Sequence, residues 1–279
     1  MPQPELPAIR SLAWLYFSAP QRRALTALTA LEREIAASLR PGLDHQVAHT
    51  RLAWWREECA RTAQGEPRHP LTRELGALFA PLGAGPLEGL AGLVDLTLWD
   101  LSCATFNTRR ELDSYCKRWS ATVIAPLARM ALPGETAAHE PAFGANLREI
   151  ELLLALASDA RAGRLRLPLD ELERAQVSPE SLARPPWTPA LAALLQDRHE
   201  KLRAALGAAI ASLAPEARRP LRGLLVWATM SCLASQRAQA RLPRESRPRE
   251  QQAPFDGWRA WRAARRIDRI PSKAAPGAR

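Results

Sequence analysis

The chain has 279 residues, 47% of them apolar, which is enough for one large core or two modest ones. Its net charge of +10 is uneven: residues 237–279 hold 12 basic and 4 acidic side chains, and the other 236 hold 27 against 25. A nearly neutral body argues against a nucleic-acid-binding domain, which needs its basic patch on a folded face, and no stretch is long and apolar enough to span a bilayer.

Alanine and leucine dominate while β-branched and aromatic residues are sparse, so helix is expected nearly everywhere. The N-terminal "MPQPELPAIRSLAWLYF" lacks the basic start and apolar run of a secretory signal. From Pro20 to Leu39 the apolar positions Leu25, Leu28, Leu31, Ile35 and Leu39 recur at spacings of three and four, which predicts a helix with one buried face. Pro41 and Gly42 end it. A second helix is expected from about Gln46 to Thr62, a short third from about Leu71, and an apolar fourth from Leu87 to Ala104. Asn107 or Thr108 can cap the next, with Glu111 three after Thr108 in capping-box spacing.

Further helices are expected over Phe143–Ala162, Ala190–Leu213 and Leu221–Ala240. After the proline-rich "RLPRESRPREQQAPFDG" comes a short basic helix, "WRAWRAARRIDRI". The organisation predicted is one all-α domain over residues 12–240, then a linker and a basic Trp/Arg helix over 241–279. Cys59, Cys103, Cys116 and Cys232 form no CxxC pair, so neither a zinc nor a redox motif is read, and a reducing, cytoplasmic setting is expected.

Several segments, in order, resemble the squalene/phytoene synthase family. "YFSAPQRRALTALTALEREIA" looks like its first helix pair in a divergent branch. "RLAWWREECARTAQGEPRHPL" resembles its arginine–leucine–x–tryptophan–tryptophan–arginine block with a His-Pro ending. "RRELDSYCKRWSATVIAPLARM" looks like the segment bearing Tyr115, and "SDARAGRLRLPLDEL" like the end of its second aspartate motif. The resemblance implies an isoprenoid-synthase-like helical bundle with a central cavity. In working members, aspartates spaced DxxxD on two helices hold Mg²⁺ against a prenyl diphosphate, each pair sharing one helix face.

Carried over residue by residue, the resemblance implies a lost metal clamp. The first acidic helix corresponds to Arg22–Ala36, which contains no aspartate; its only acids, Glu32 and Glu34, are two apart and do not share a face. In the second motif the final aspartate is Asp159, the first is replaced by Ala155, and the family's asparagine position falls at Glu151. Its arginine position falls at Leu154 and its penultimate acid at Ser158. Ile124 stands in a run that usually contains glycines, and Arg166 where a tyrosine usually precedes Leu-Pro. Arg51, Tyr115, Glu151 and Asp159 are therefore the candidate cavity or former ligand residues. No catalytic residue, metal ligand or cofactor is expected.

Other constellations have plainer readings. Trp54 and Trp55 cannot both face the centre, so one is expected in the core and the other against a neighbouring helix. Arg51 either holds a helix in register or binds phosphate. His69 reads as part of a packed turn rather than a base, and His45 and His49 as a solvated face rather than a metal pair. Asp95 and Asp100, in an apolar stretch, should pair with arginines. In the tail, Trp258, Arg259, Trp261, Arg262, Arg265, Arg266 and Arg269 either meet an anionic membrane surface or dock the helix back on the body.

The resemblance extends to non-enzymatic relatives, among them a mitochondrial respiratory complex I assembly factor. It implies a protein that acts by binding a protein, a membrane or a prenyl lipid, cytoplasmic or peripheral to the inner membrane face. The alternative is a Mg²⁺-dependent transferase joining two prenyl diphosphates head to head.

Overall fold

The structure is a computed structural model that describes residues 6–40, 42–83, 85–102, 104–133, 140–245 and 255–268. Cys103 and Arg269, both singled out above, lie outside them. Among the described residues the chain forms thirteen α-helices and no strand, an all-α bundle.

α1 (Ala8–Trp14) precedes α2 (Ala19–Ala36), which starts at a capping box between Ser18 and Gln21. The expected repeat is the buried face of α2: Leu25, Leu28, Leu31 and Ile35 are all fully enclosed. α3 (His45–Ala63) is capped by Asp44, whose carboxylate accepts the amides of Gln46 and Val47. α4 (Pro70–Phe79) follows the His-Pro turn, and α5 (Ala91–Leu101) follows a 3₁₀ segment from Gly85 to Leu90. α6 (Arg109–Ala131) begins after Thr108, but not with the capping box expected there. Thr108 makes no side-chain cap, and the Glu111 carboxylate instead accepts the amide of Asn107.

α7 (Glu140–Leu154) and α8 (Leu156–Arg161) take the place of the single helix expected over 143–162. The ladder breaks at Ala155, whose ψ is 6°. α9 (Leu169–Arg174) and α11 (Pro215–Arg218) are short connectors around α10 (Pro189–Ala211). α12 (Arg222–Arg241) runs through the core, with Val226, Trp227 and Ala228 enclosed. α13 (Asp256–Asp268) closes the described chain.

α6 and α7 share the most extensive helix–helix contact among the described residues. They run antiparallel: Gly144 faces Ser120 and Ile124, while further along α7 Glu149 meets Arg109 at the start of α6. α10 and α12 pack on α7, α2 packs on α6, and α1 and α13 both pack on α12. α1, α2, α6, α7 and α12 therefore surround one centre, and that centre holds the candidate site. No helix among the described residues is long and apolar enough to cross a membrane.

Candidate functional site

The two helices that correspond to the metal-binding pair of working members face each other, each through one glutamate. Glu32 projects inward from α2 and Glu151 from α7, and between them lies Arg10 of α1, 3% exposed. Arg10 donates to Glu32 Oε2 at 2.6 Å and to both oxygens of Glu151, at 3.4 and 3.2 Å. Its guanidinium sits in the corner formed by the edge-to-face rings of Trp119 and Trp227, 5.3 and 5.1 Å from their centroids. Trp119 Nε1 donates to the other Glu32 oxygen at 2.8 Å. Arg148, from α7, donates to Glu151 Oε2 at 2.9 Å and lies over the Trp119 ring, 5.1 Å from its centroid.

These contacts decide the charges. Burial works against the Arg10 cation, but Glu151 and Glu32 outweigh it and raise its pKa above the usual arginine value. Burial likewise pushes the Glu32 carboxyl up, yet the charges of Arg10 and Arg148 prevail and hold it below the ordinary range. The centre is thus two carboxylates neutralised by two guanidiniums that do not dissociate.

The pairing continues outward from there. Tyr115, 5% exposed, lies under the Arg166 guanidinium at 5.5 Å and packs its edge on Phe106, which stacks on Trp99. Burial raises its phenol pKa despite the nearby charges of Arg148 and Arg166. Arg166 holds both oxygens of Asp100, at 2.7 and 2.9 Å, and donates to Asp159 at 3.0 Å; Arg164 takes the other Asp159 oxygen at 2.9 Å. Burial disfavours the Asp159 anion, but these two arginines lower its pKa all the same. A second buried set pairs Glu149 with Arg109 and Arg198, and Arg198 with Glu171. The arginine pairing expected of Asp95 and Asp100 is therefore present in both: Asp95 binds Arg56 and Arg118.

The donor set does not suit Mg²⁺. That ion needs near-octahedral oxygen ligands and keeps several waters, whereas each oxygen of Glu32 and Glu151 already accepts from an arginine or tryptophan N–H. Among the described residues no group of three or more His, Cys, Asp or Glu side chains is placed to hold a metal ion. The positions that would make up the second acidic row give Ala155 at the helix break, and Asp159 bound to its own arginines.

Three of the four candidate residues belong to this network: Tyr115, Glu151 and Asp159 are joined through Arg148 and Arg166. Arg51 does not join it. It lines an outer cleft of about 260 Å³ with Glu34, Trp54, Trp55 and His69. Trp55 is buried and Trp54 is 42% exposed, with their rings edge to face at 4.9 Å. His69 Nδ1 accepts the amide of Leu71 and so starts α4, while its ring rests on Trp55 at 4.9 Å.

The residue that organises this block is Glu58. Fully enclosed, it accepts the amides of Arg68 and His69 at 2.7 and 2.8 Å, the Thr72 hydroxyl, and the Arg61 guanidinium. These bonds overcome the effect of burial and lower its pKa to about 2. The tryptophan block with its His-Pro ending is thus a clamp that fixes the turn between α3 and α4.

Sequence reasoning missed Arg10 altogether. Its signal was there: a lone cation between Ile9 and Leu12 on a short apolar helix must find acids if it is buried.

The bundle resembles solved structures of two synthases. A dehydrosqualene synthase in complex with ligand aligns with a TM-score of 0.74 at 16% identity, covering 93% of this chain and 90% of that one. Squalene synthase HpnC from Alicyclobacillus acidocaldarius aligns with a TM-score of 0.61 at 20% identity, covering 81% and 86%. At these identities the likeness is one of fold. A search of curated protein sequences returned no match. The family profile described as squalene/phytoene synthase matches residues 9–259. By that match, which takes in every helix from α1 to the start of α13, the chain belongs to the squalene/phytoene synthase family.

Proposed function

We propose that this chain is a non-catalytic member of the family that acts by binding. The observation that carries the reading is the Arg10–Glu32–Glu151–Arg148 cluster, with guanidiniums paired to the acids that face each other across the bundle. A diphosphate leaving group requires mobile, exchangeable cations whose open positions it can enter. Arg10, already bound to two carboxylates and covered by Trp119 and Trp227, offers no such position. The cluster instead ties α1, α2 and α7 together and leaves function to the outer surfaces. Partners consistent with this reading are a protein, a membrane surface or a prenyl lipid.

A second reading has its own support. The family match and the fold likeness to two proteins described as synthases both favour a transferase that joins two prenyl diphosphates. One experiment separates the two. Purified protein is incubated with farnesyl or geranylgeranyl diphosphate, Mg²⁺ and a reductant. The binding reading expects no release of pyrophosphate above a protein-free control. A C30 or C40 product would replace it with the transferase reading.

A further inference from the structure

The terminal helix resolves into two opposite faces. Ala260 and Ala264 are 0% and 3% exposed and join the main core, and α13 packs on α12 and α1. Asp256 is buried against Arg237, with Arg259 also reaching it at 3.3 Å, and Asp268 pairs with Arg222 of α12. Asp256 is therefore held against the body, whereas Asp268 is exposed and neutralised by Arg222. At about 100° per residue, Trp258, Trp261, Arg262 and Arg265 fall within an arc of roughly 100° on the side away from the two alanines. Trp258 and Trp261 are 53% and 49% exposed. Phe255, just before the helix, is 75% exposed.

We infer that this outward face is a docking surface for an anionic lipid bilayer. Three observations fit that occupant. The apolar area consists of two indoles, the side chains best suited to the headgroup level. The cations beside them are arginines on the same stripe, and Arg266 is exposed next to them, so the charge matches an anionic leaflet. The helix is anchored by its alanine face, so the body would sit with the indoles towards the bilayer without crossing it. The Arg262 and Arg265 guanidiniums lie 4.6 and 5.4 Å from the ring centroids of Trp258 and Trp261. One face of each indole is thus covered by a cation, and the other stays open. The inference holds whether the chain is catalytic or not, because sedimentation reads attachment and the product assay reads transfer.

The test uses the full chain and vesicles of phosphatidylcholine with or without phosphatidylglycerol. The wild-type protein should sediment with the anionic vesicles at low salt, be released as salt rises, and ignore the neutral ones. Two variants, W258S/W261S and R262E/R265E, should each lower apparent affinity by about tenfold or more. All four side chains face away from the core, so both variants should keep the wild-type melting temperature. R262Q/R265Q serves as a milder substitute if charge reversal perturbs folding, and should also weaken binding. Undiminished sedimentation of the folded variants overturns the inference, as does wild-type protein that ignores anionic vesicles. Tighter binding of a single-stranded oligonucleotide through the same residues would also overturn it, and would assign the face to nucleic acid.

Discussion

Arg10 shows how one side chain settles a site. It reaches two acids on two helices and lies against two indoles, so its removal leaves both carboxylates buried with less compensation. Breaking one side of a buried ion pair costs about 3–5 kcal/mol, because the remaining charge is stranded. Arg10→Met should therefore lower stability by about that much in urea unfolding. Adding Glu32→Gln should recover a good part of the loss, since it removes the carboxylate Arg10 held and leaves Glu151 paired with Arg148. A cost below about 1 kcal/mol for the single change would place the balance of charge on Arg148 instead. The acids of this centre were legible in the sequence, and so was their failure to form two aspartate rows. What filled the space was not, because Arg10 lies more than a hundred residues from Glu151 and no local pattern joins them.

At the level of elements, the hydrophobic period found the long helices to within a few residues, because a repeated buried face leaves a repeated mark. It missed α1, α9 and α11, which have seven, six and four residues and so carry barely two turns of pattern. It also ran α7 and α8 together, since the break at Ala155 is made by backbone geometry in a residue that favours helix. The reading of Ile124 turned on its neighbour. A branched residue stands in the run of α6 where the family has glycines, but the small residue is supplied by the opposite helix. A Cβ at Gly144 would lie 2.0 Å from Ser120 Oγ, 2.7 Å from Ser120 Cβ and 3.0 Å from Ile124 Cβ. Ile124, 1% exposed, thus packs into the α6–α7 crossing. Gly144→Ala gains helix propensity of under about 1 kcal/mol, yet must push the two helices apart. Overpacking of this kind costs about 1–3 kcal/mol, so the variant should unfold at lower denaturant than wild type. An unchanged or higher midpoint would mean that the crossing can widen freely.

For the whole molecule, the sequence offered two fates for the basic tail, attachment to a surface or docking on the body, and the helix geometry makes them compatible. Alanines at positions 260 and 264 dock it, while the indoles and arginines face away. This changes what a truncation can report. Ending the chain after Ala240 removes Ala260 and Ala264 from the core and leaves Arg237 and Arg222 without Asp256 and Asp268. It also uncovers the flanks of α1 and α12, and α1 carries Arg10 into the centre. The exposed pair of Arg222 and Asp268 contributes little, as surface pairs do. The buried Asp256 contact and the apolar area are worth more. The truncated chain should therefore remain helical by circular dichroism but melt several degrees lower than the full chain, whereas W258S/W261S should not. If the two melt alike at the wild-type temperature, α13 is an independent arm and its packing adds no stability. If only the truncation is destabilised, the tail both completes the bundle and displays a surface, and the point variants are the ones that report on attachment.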